Sequence, residues 1–226
     1  ERDALLKGLW RGSKVKGAYY VNEMQRLRAE GRIRRVPYQP GVPVDTYWDL
    51  GRRDTTAIWF HQNVAGEERF ICAYENSGES LDHFAAFLLS KGYVYGIHYL
   101  PHDASYERLT KENKGANTFQ GMLEELLPGH RFEIIPKIDR VQTGIDQTRM
   151  KLRGNVYIDE TECSDGIIAM DNYRKKYNEK QDTYMDEPLH DRYSNFADAI
   201  RQWGQRERSR ASQPVKKTPG RRNWRV

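Results

Sequence analysis

The fold is decided by Val44-Asp45-Thr46-Tyr47-Trp48-Asp49-Leu50, a run rich in β-branched and aromatic residues. It stops at a turn over residues 51–54, and two further β-rich runs follow at residues 55–62 and 69–75. Only short turns separate the three runs, and short turns join antiparallel neighbours. We therefore predict a three-stranded antiparallel meander over residues 44–75.

Helix and strand signals alternate after the meander. We predict helices at residues 81–90, 118–127, 139–152, 163–177 and 193–203, and strands at residues 96–100, 132–136 and 156–159. Strands that alternate with helices pair in parallel. The order therefore predicts an α/β fold: a mixed sheet, made of the antiparallel meander plus parallel strands, with helices on both faces.

Ahead of the meander, three prolines fall between residues 36 and 43, which neither a helix nor an inner strand tolerates. We predict that residues 1–43 form a helical segment and a linker, with the helix at residues 18–30. Residues 44–204 then form the compact domain. Residues 205–226 carry little apolar content and predict a basic, disordered tail.

The net charge of +5 is unevenly distributed. Residues 1–35 hold 10 Lys/Arg against 4 Asp/Glu and residues 201–226 hold 9 against 1, whereas residues 36–200 hold 18 against 27. Ordinary solubility explains an acidic body. Alternatively, some carboxylates hold divalent metal while the basic flanks contact a polyanion.

Several classes of protein are disfavoured by the sequence. No apolar run is long enough to span a membrane and no signal-peptide pattern opens the chain, which predicts a soluble protein. Cys72 and Cys163 lie far apart and outside any zinc-binding pattern, so we expect buried thiols. The chain has neither a phosphate-binding P-loop nor a Gly-x-Ser-x-Gly nucleophile motif.

Acidic residues at predicted strand ends are the candidates for chemistry. Asp49 ends the first strand, and Asp103 follows the strand at residues 96–100 beside His102. Each has a structural alternative, since Asp also caps turns and strand exits. At the turn over residues 51–54, Asp54 is a better candidate than Asp49 for the turn-forming residue.

A third acid, Asp198, lies among small apolar residues of the last helix, with Asp191 upstream of it. The structural alternative for Asp198 is a buried ion pair with an arginine. Three Asp residues from two strand ends and one helix match what two-metal phosphodiester hydrolysis requires, because Mg²⁺ and Mn²⁺ prefer carboxylate oxygens.

Three segments resemble the nuclease domain of the large terminase subunit of tailed double-stranded DNA bacteriophages, a branch of the RNase H-like fold. They are Tyr47-Trp48-Asp49-Leu50-Gly51-Arg52-Arg53-Asp54-Thr55-Thr56-Ala57-Ile58-Trp59, then Pro101-His102-Asp103-Ala104, and His190-Asp191-Arg192-Tyr193-Ser194-Asn195-Phe196-Ala197-Asp198-Ala199-Ile200-Arg201. The resemblance covers about residues 16–204, with the motifs in the family's order.

The resemblance implies that Asp49, Asp103 and Asp198 are the catalytic ligands of two Mg²⁺ or Mn²⁺ ions. The family often has a His where this chain has Asn195, so one imidazole that could act as a general base is missing there. Asp54, His102, Asp191 and Asn195 are secondary candidates.

The implied function is metal-dependent endonucleolytic cleavage of concatemeric double-stranded viral DNA during genome packaging, with low sequence specificity, in the host cell cytoplasm. Arg52 and Arg53 are candidate DNA contacts, or else a solvated turn. The implied partners are the ATPase domain of the same subunit, which residues 1–43 would join, the portal protein and the small terminase subunit.

Two other functions fit the same fold. One is an RNase H-like recombinase or resolvase, and the other is a catalytically silent DNA-binding or assembly module. Independently of which function is correct, the basic tail has three possible roles: to bind DNA, to dock on a packaging partner, or to serve only as a solubilising end.

Overall fold

A computed structural model describes residues 15–51, 55–106 and 118–206 of the chain. The strands are β1 (Ile33–Arg34), β2 (Val44–Asp49), β3 (Thr55–Val64), β4 (Glu67–Ser77), β5 (Tyr95–Leu100), β6 (Arg131–Ile134), β7 (Val156–Asp159), β8 (Lys175–Asn178) and β9 (Thr183–Pro188). The helices are α1 (Val21–Ala29), α2 (Leu81–Ser90), α3 (Phe119–Leu126), α4 (Val141–Leu152), α5 (Ser164–Asn172) and α6 (Ser194–Gln205), with a short 3-10 helix at His102–Ser105.

Seven strands form one mixed sheet in the order β1-β7-β4-β3-β2-β5-β6. The β2-β3 and β3-β4 pairs are antiparallel, while β5 runs parallel to β2, β6 to β5, and β7 to β4. This arrangement confirms the predicted meander with parallel strands beside it. A separate hairpin pairs β8 with β9.

Helices cover both faces of the sheet, as predicted. Side chains alternate along each strand, so Tyr47, Ala57 and Trp59 point to one face while Trp48 and Ile58 point to the other. Helices α1, α4, α5 and α6 pack on the first face, which we call the α6 face. Helices α2 and α3 pack on the opposite face. The candidate site lies on the α6 face.

The described part of the chain ahead of residue 44 also packs into this body. Met24 and Leu27 of α1 are fully buried in the α6-face core, and Ile33 of β1 pairs with Ile158 of β7. The packed body thus begins before residue 44, although the prolines led us to predict that it starts at residue 44. The expectation that residues 1–43 join a motor domain stays a prediction.

Tertiary hydrogen bonds hold the proline-rich run. The Val36 amide donates to the Asp159 carboxylate at 2.6 Å, and the buried Gln62 amide donates to the Gln39 and Val42 carbonyls at 3.0 and 2.6 Å. Prolines remove backbone donors but not carbonyls, so a buried side-chain amide can still fix the run. It is an ordered crossing from β1 to β2.

The prediction of a helix over residues 163–177 is wrong for the second half of that range. Helix α5 ends at Asn172, and Tyr173 takes an extended conformation. The Tyr173 ring packs 5.2 Å from that of Tyr19, measured between centroids, and the chain continues into β8. Packing of a large aromatic side chain overrides local helix propensity here.

Cys72 and Cys163 are buried free thiols, which confirms the prediction for them. None of the described helices has the length and apolar character needed to cross a membrane. The tail prediction falls almost wholly on residues 207–226, which lie outside the described residues.

Candidate active site

Asp49 closes β2 and lies half-buried on the α6 face. Its neighbour on β3 is Ala57, and the neighbour of Ala57 on β4 is Glu75. Directly opposed residues of antiparallel strands share a face, so Asp49, Ala57 and Glu75 form a row across three strands. The small Ala57 side chain leaves space between the two carboxylates.

Helix α6 carries Asp198 over the same face. The helix is held against the sheet by a stripe of buried residues, Phe196, Ala197, Ala199, Ile200 and Trp203. Its first turn is fixed by Asp191, whose Oδ1 accepts from the Tyr193 amide at 2.9 Å. Asp198 accepts a hydrogen bond from the Tyr173 hydroxyl at 3.2 Å and from Arg201 Nη1 at 2.6 Å.

Asp103 approaches from the other side of Asp49. It lies in the 3-10 helix that follows β5, and β5 runs parallel beside β2. The carboxyl ends of these two strands therefore meet at one edge of the sheet. Asp103 and Glu75 flank Asp49 on opposite sides along the strand order.

The electrostatics show that these acids act on one another. The pKa of Asp49 is raised well above its usual value, first by burial and next by the negative charge of Asp198. Arg201 opposes this rise, while Asp103 and Glu75 add to it. Four carboxylates thus share a concentrated negative field, which favours bound cations.

Arg201 places a positive charge next to Asp198. Its ion pair with Asp198 is the structural alternative considered for that acid, and both side chains are largely buried, at 16% and 23% exposure. Burial raises the pKa of Asp198, and Arg201 offsets part of that rise. Arg201 therefore stabilises the Asp198 carboxylate without neutralising Asp49.

The donor set fits a divalent metal, although the described side chains do not converge on one. Carboxylate oxygens are the ligands that Mg²⁺ and Mn²⁺ prefer. Oxygen Oε2 of Glu75 is buried without a hydrogen-bond partner, so an acceptor is available on the same face as Asp49, two strands away. In the described ranges, no three His, Cys, Asp or Glu side chains come close enough to form a metal site. Ion binding would require side-chain rotation.

The secondary candidates take different places. Arg52, Arg53 and Asp54 lie outside the described residues. His102 packs edge-on against Tyr106, with 5.7 Å between ring centroids. Asp191 forms an ion pair with Arg174 at 3.1 Å and has a structural role at the start of α6. Asn195 lies beside Glu75 and lowers its pKa, which burial raises.

Sequence reasoning missed Glu75 and Arg201. Glu75 has the strand parity of Ala73, which packs on the α6-face core, so alternation along β4 was a signal for its orientation. Arg201 lies three residues after Asp198, a spacing that brings helix side chains together.

Comparisons with known proteins agree with this fold. No protein-family model matches the chain, and no curated protein matches it in sequence. Among solved structures, the large terminase of a thermophilic bacteriophage in complex with ATP-gamma-S superimposes with a TM-score of 0.59 at 16% identity. The match covers 84% of this chain and 45% of that one, so this chain spans less than half of that protein.

Isolated nuclease domains match over nearly their whole length. The large terminase nuclease of thermophilic phage G20c with bound magnesium has a TM-score of 0.54 at 12% identity, covering 83% of this chain and 96% of that one. The same nuclease with bound cobalt gives 0.56 at 11% identity, with equal coverage. The P22 large terminase nuclease domain gives 0.54 at 14% identity, covering 78% and 88%.

The chain has an α/β fold of the RNase H-like class, with acids at or just past the ends of two inner strands and on helix α6. Within that class, its fold is the one found in the nuclease domains of bacteriophage large terminases.

Proposed function

We propose that this chain is a metal-dependent endonuclease domain that cleaves concatemeric double-stranded viral DNA during genome packaging. One observation supports the proposal: Asp49 ends an inner strand, Asp103 follows the parallel strand beside it and Asp198 lies on the helix packed over the same face, in a fold whose solved nuclease domains include magnesium-bound and cobalt-bound forms.

In this proposal the three Asp carboxylates hold two Mg²⁺ or Mn²⁺ ions. The chemistry that such ions supply when bound is activation of an attacking water and stabilisation of charge on the leaving oxygen. Asp49, on the rigid central strand, fixes the position of the site. Asp198, aligned by Tyr173 and Arg201, defines its second wall.

The duplex would be positioned through its phosphates, which gives low sequence specificity. Arg52 and Arg53, directly after β2, are proposed contacts because they follow Asp49 in sequence. Association with the ATPase domain of the same subunit, with the portal protein and with the small terminase subunit belongs to the same proposal. So does the place of action, the host cytoplasm.

A second candidate function rests on the Asp198–Arg201 ion pair. An acid already neutralised by an internal arginine is what a catalytically silent DNA-binding module would retain. The two functions differ in one respect, because only a nuclease consumes supercoiled DNA in the presence of a divalent ion.

The test is digestion of supercoiled plasmid by the full chain with Mg²⁺, Mn²⁺ or EDTA. We expect cleavage with either ion and none in EDTA, and a loss of about 100-fold or more in Asp49→Asn and Asp198→Asn. Asp45→Asn is the matched control for the first, since Asp45 lies on the same strand and pairs with Arg206. Asp171→Asn, on α5 and paired with Arg28, is the control for the second.

Both controls should keep wild-type cleavage. If the folded wild type leaves plasmid intact with both ions while still binding DNA, the silent module is the correct function and the nuclease proposal fails.

A further inference from the structure

Glu75 has a carboxylate oxygen that nothing in the described protein satisfies. Its Oε2 is buried and has no hydrogen-bond partner among the described residues. A buried polar atom without a partner destabilises the folded state unless something else fills the role. Glu75 is a long acidic side chain on an inner strand, where an apolar residue would have packed without this penalty.

The position of Glu75 is defined by the sheet rather than by a loop. It shares the α6 face with Asp49, two strands away across Ala57. Adjacent strands are about 4.8 Å apart, so the two backbones are separated by roughly 10 Å. The two side chains extend over the same face and close part of that gap.

Helix α6 presents two polar side chains toward this row of residues. Asn195 and Asp198 are three residues apart on one side of the helix. Asn195 interacts with Glu75, while the charge of Asp198 acts on Asp49. The helix therefore encloses the row from above, with Glu75 at one end and Asp103 at the other end.

We propose that Glu75 is a fourth acidic ligand of the candidate site and holds the divalent ion on its β4 side, opposite Asp103. The inference rests on the proposed function and adds a residue to it. Two ions about 4 Å apart, each with ligands at about 2.1 Å, span about 8 Å between outer oxygens. A row of acids two strands wide provides that span, whereas Asp49 and Asp198 alone do not extend to β4.

Glu75 differs from the acids with structural roles because it forms no ion pair in the described part of the protein. Asp171 and Asp45 are engaged by Arg28 and Arg206. Oε2 of Glu23 is likewise buried without a hydrogen-bond partner, but Oε1 of Glu23 forms ion pairs with two arginines, Arg149 and Arg153. Among the described residues, no arginine or lysine lies within ion-pair distance of Glu75, and Arg192 acts on it only from farther away. Oε2 is therefore available to an added cation.

The test measures Mn²⁺ binding to the full chain by calorimetry without DNA, with melting temperatures in EDTA and in Mn²⁺. We compare the wild type with Glu75→Gln, which keeps size and an amide partner for Asn195 but loses the charge. Glu133→Gln is the matched control, a glutamate on strand β6 at the edge of the same sheet. Asp49→Asn reports on the site as a whole.

We expect Glu75→Gln to melt in EDTA at or above the wild-type temperature and to bind Mn²⁺ about 10-fold or more weakly. Glu133→Gln should match the wild type in both measurements. Should Glu75→Gln fail to fold, Glu75→Asp keeps the charge but withdraws the carboxylate, and the same loss of Mn²⁺ affinity is expected.

Two outcomes overturn the inference, and they differ. If the wild type binds Mn²⁺, Asp49→Asn does not, and Glu75→Gln binds like the wild type, then Glu75 is not a ligand while the nuclease proposal stands. If the wild type binds no Mn²⁺ at millimolar concentration, the metal-dependent function and the role of Glu75 fail together.

Discussion

At the scale of single residues, the ionisable groups of the candidate site and of His98 in the core differ in their surroundings. Asp49 and Asp198 are kept close together although burial and mutual repulsion raise both pKa values. His98, buried between β2 and β6, is instead built into a satisfied neutral network. Thr46 Oγ1 lies 2.7 Å from its Nδ1, and His130 Nδ1 lies 2.9 Å from its Nε2.

The His98 network predicts a pH-dependent stability. Burial, and then the neighbouring His130, lower the pKa of His98 to about 3. Since an unfolded His titrates near 6.5, the unfolded chain binds the extra proton between these values. We expect the free energy of unfolding to be highest above pH 6.5 and to fall below it, by up to about 1.4 kcal/mol per pH unit from this group.

Urea unfolding at pH 7.5, 6.5, 5.5 and 4.5 measures this slope. His98→Asn keeps a donor and an acceptor but does not titrate, so its stability should depend less steeply on pH. Parallel curves for the wild type and the variant would show that other groups carry the acid sensitivity.

At the scale of elements, one tryptophan of the sheet, Trp59, contacts both α5 and α6 and fixes their positions on the sheet. The Trp59 indole donates to the Phe196 carbonyl of α6 at 2.9 Å, and Gly166 of α5 lies directly against the same ring. A Cβ at Gly166 would overlap the six-membered ring of Trp59. The placement of Asp198 therefore depends on a glycine of another helix.

We expect Gly166→Ala to destabilise the protein by about 1–3 kcal/mol, because the rigid, buried Trp59 ring cannot move without loss of packing. The measurement is urea unfolding in a double-mutant cycle with Trp59→Phe, whose smaller ring makes room for the added methyl group. The destabilisation by Gly166→Ala should shrink in the Trp59→Phe background. Strict additivity would place the strain elsewhere.

Elements were predictable where local and tertiary signals agree. The meander followed from β-branched runs and short turns, and α6 followed from its apolar stripe. The end of α5 was not predictable, because Tyr173 leaves the helix and contacts Tyr19 and Asp198. The β8-β9 hairpin was not predicted either. In the site, the three Asp residues lie at strand ends or among apolar residues and could be identified in the sequence. Alternation along β4 indicates the face of Glu75, but its position opposite Ala57 follows only from the β3-β4 register.

At the scale of the whole molecule, the uneven charge predicts a role for the last residues of the chain. Residues 207–226 hold 7 Lys/Arg against 1 Asp/Glu. We expect their deletion to weaken duplex binding and to flatten its salt dependence, by up to about 6 in the slope of log K against log[salt] if all seven contact phosphate. DNA affinity at several salt concentrations, for the full and shortened chains, measures it. An unchanged slope would assign the tail to another partner.

The ends of the seven-stranded sheet have a consequence for behaviour at high concentration. One outer strand, β1, has two residues, and the other, β6, has four and carries the exposed charges of Arg131 and Glu133. An unpaired strand is a template for a second sheet, and short, charged borders are a recognised defence against such growth. Many copies of this domain can therefore crowd together with little tendency to join through their backbones.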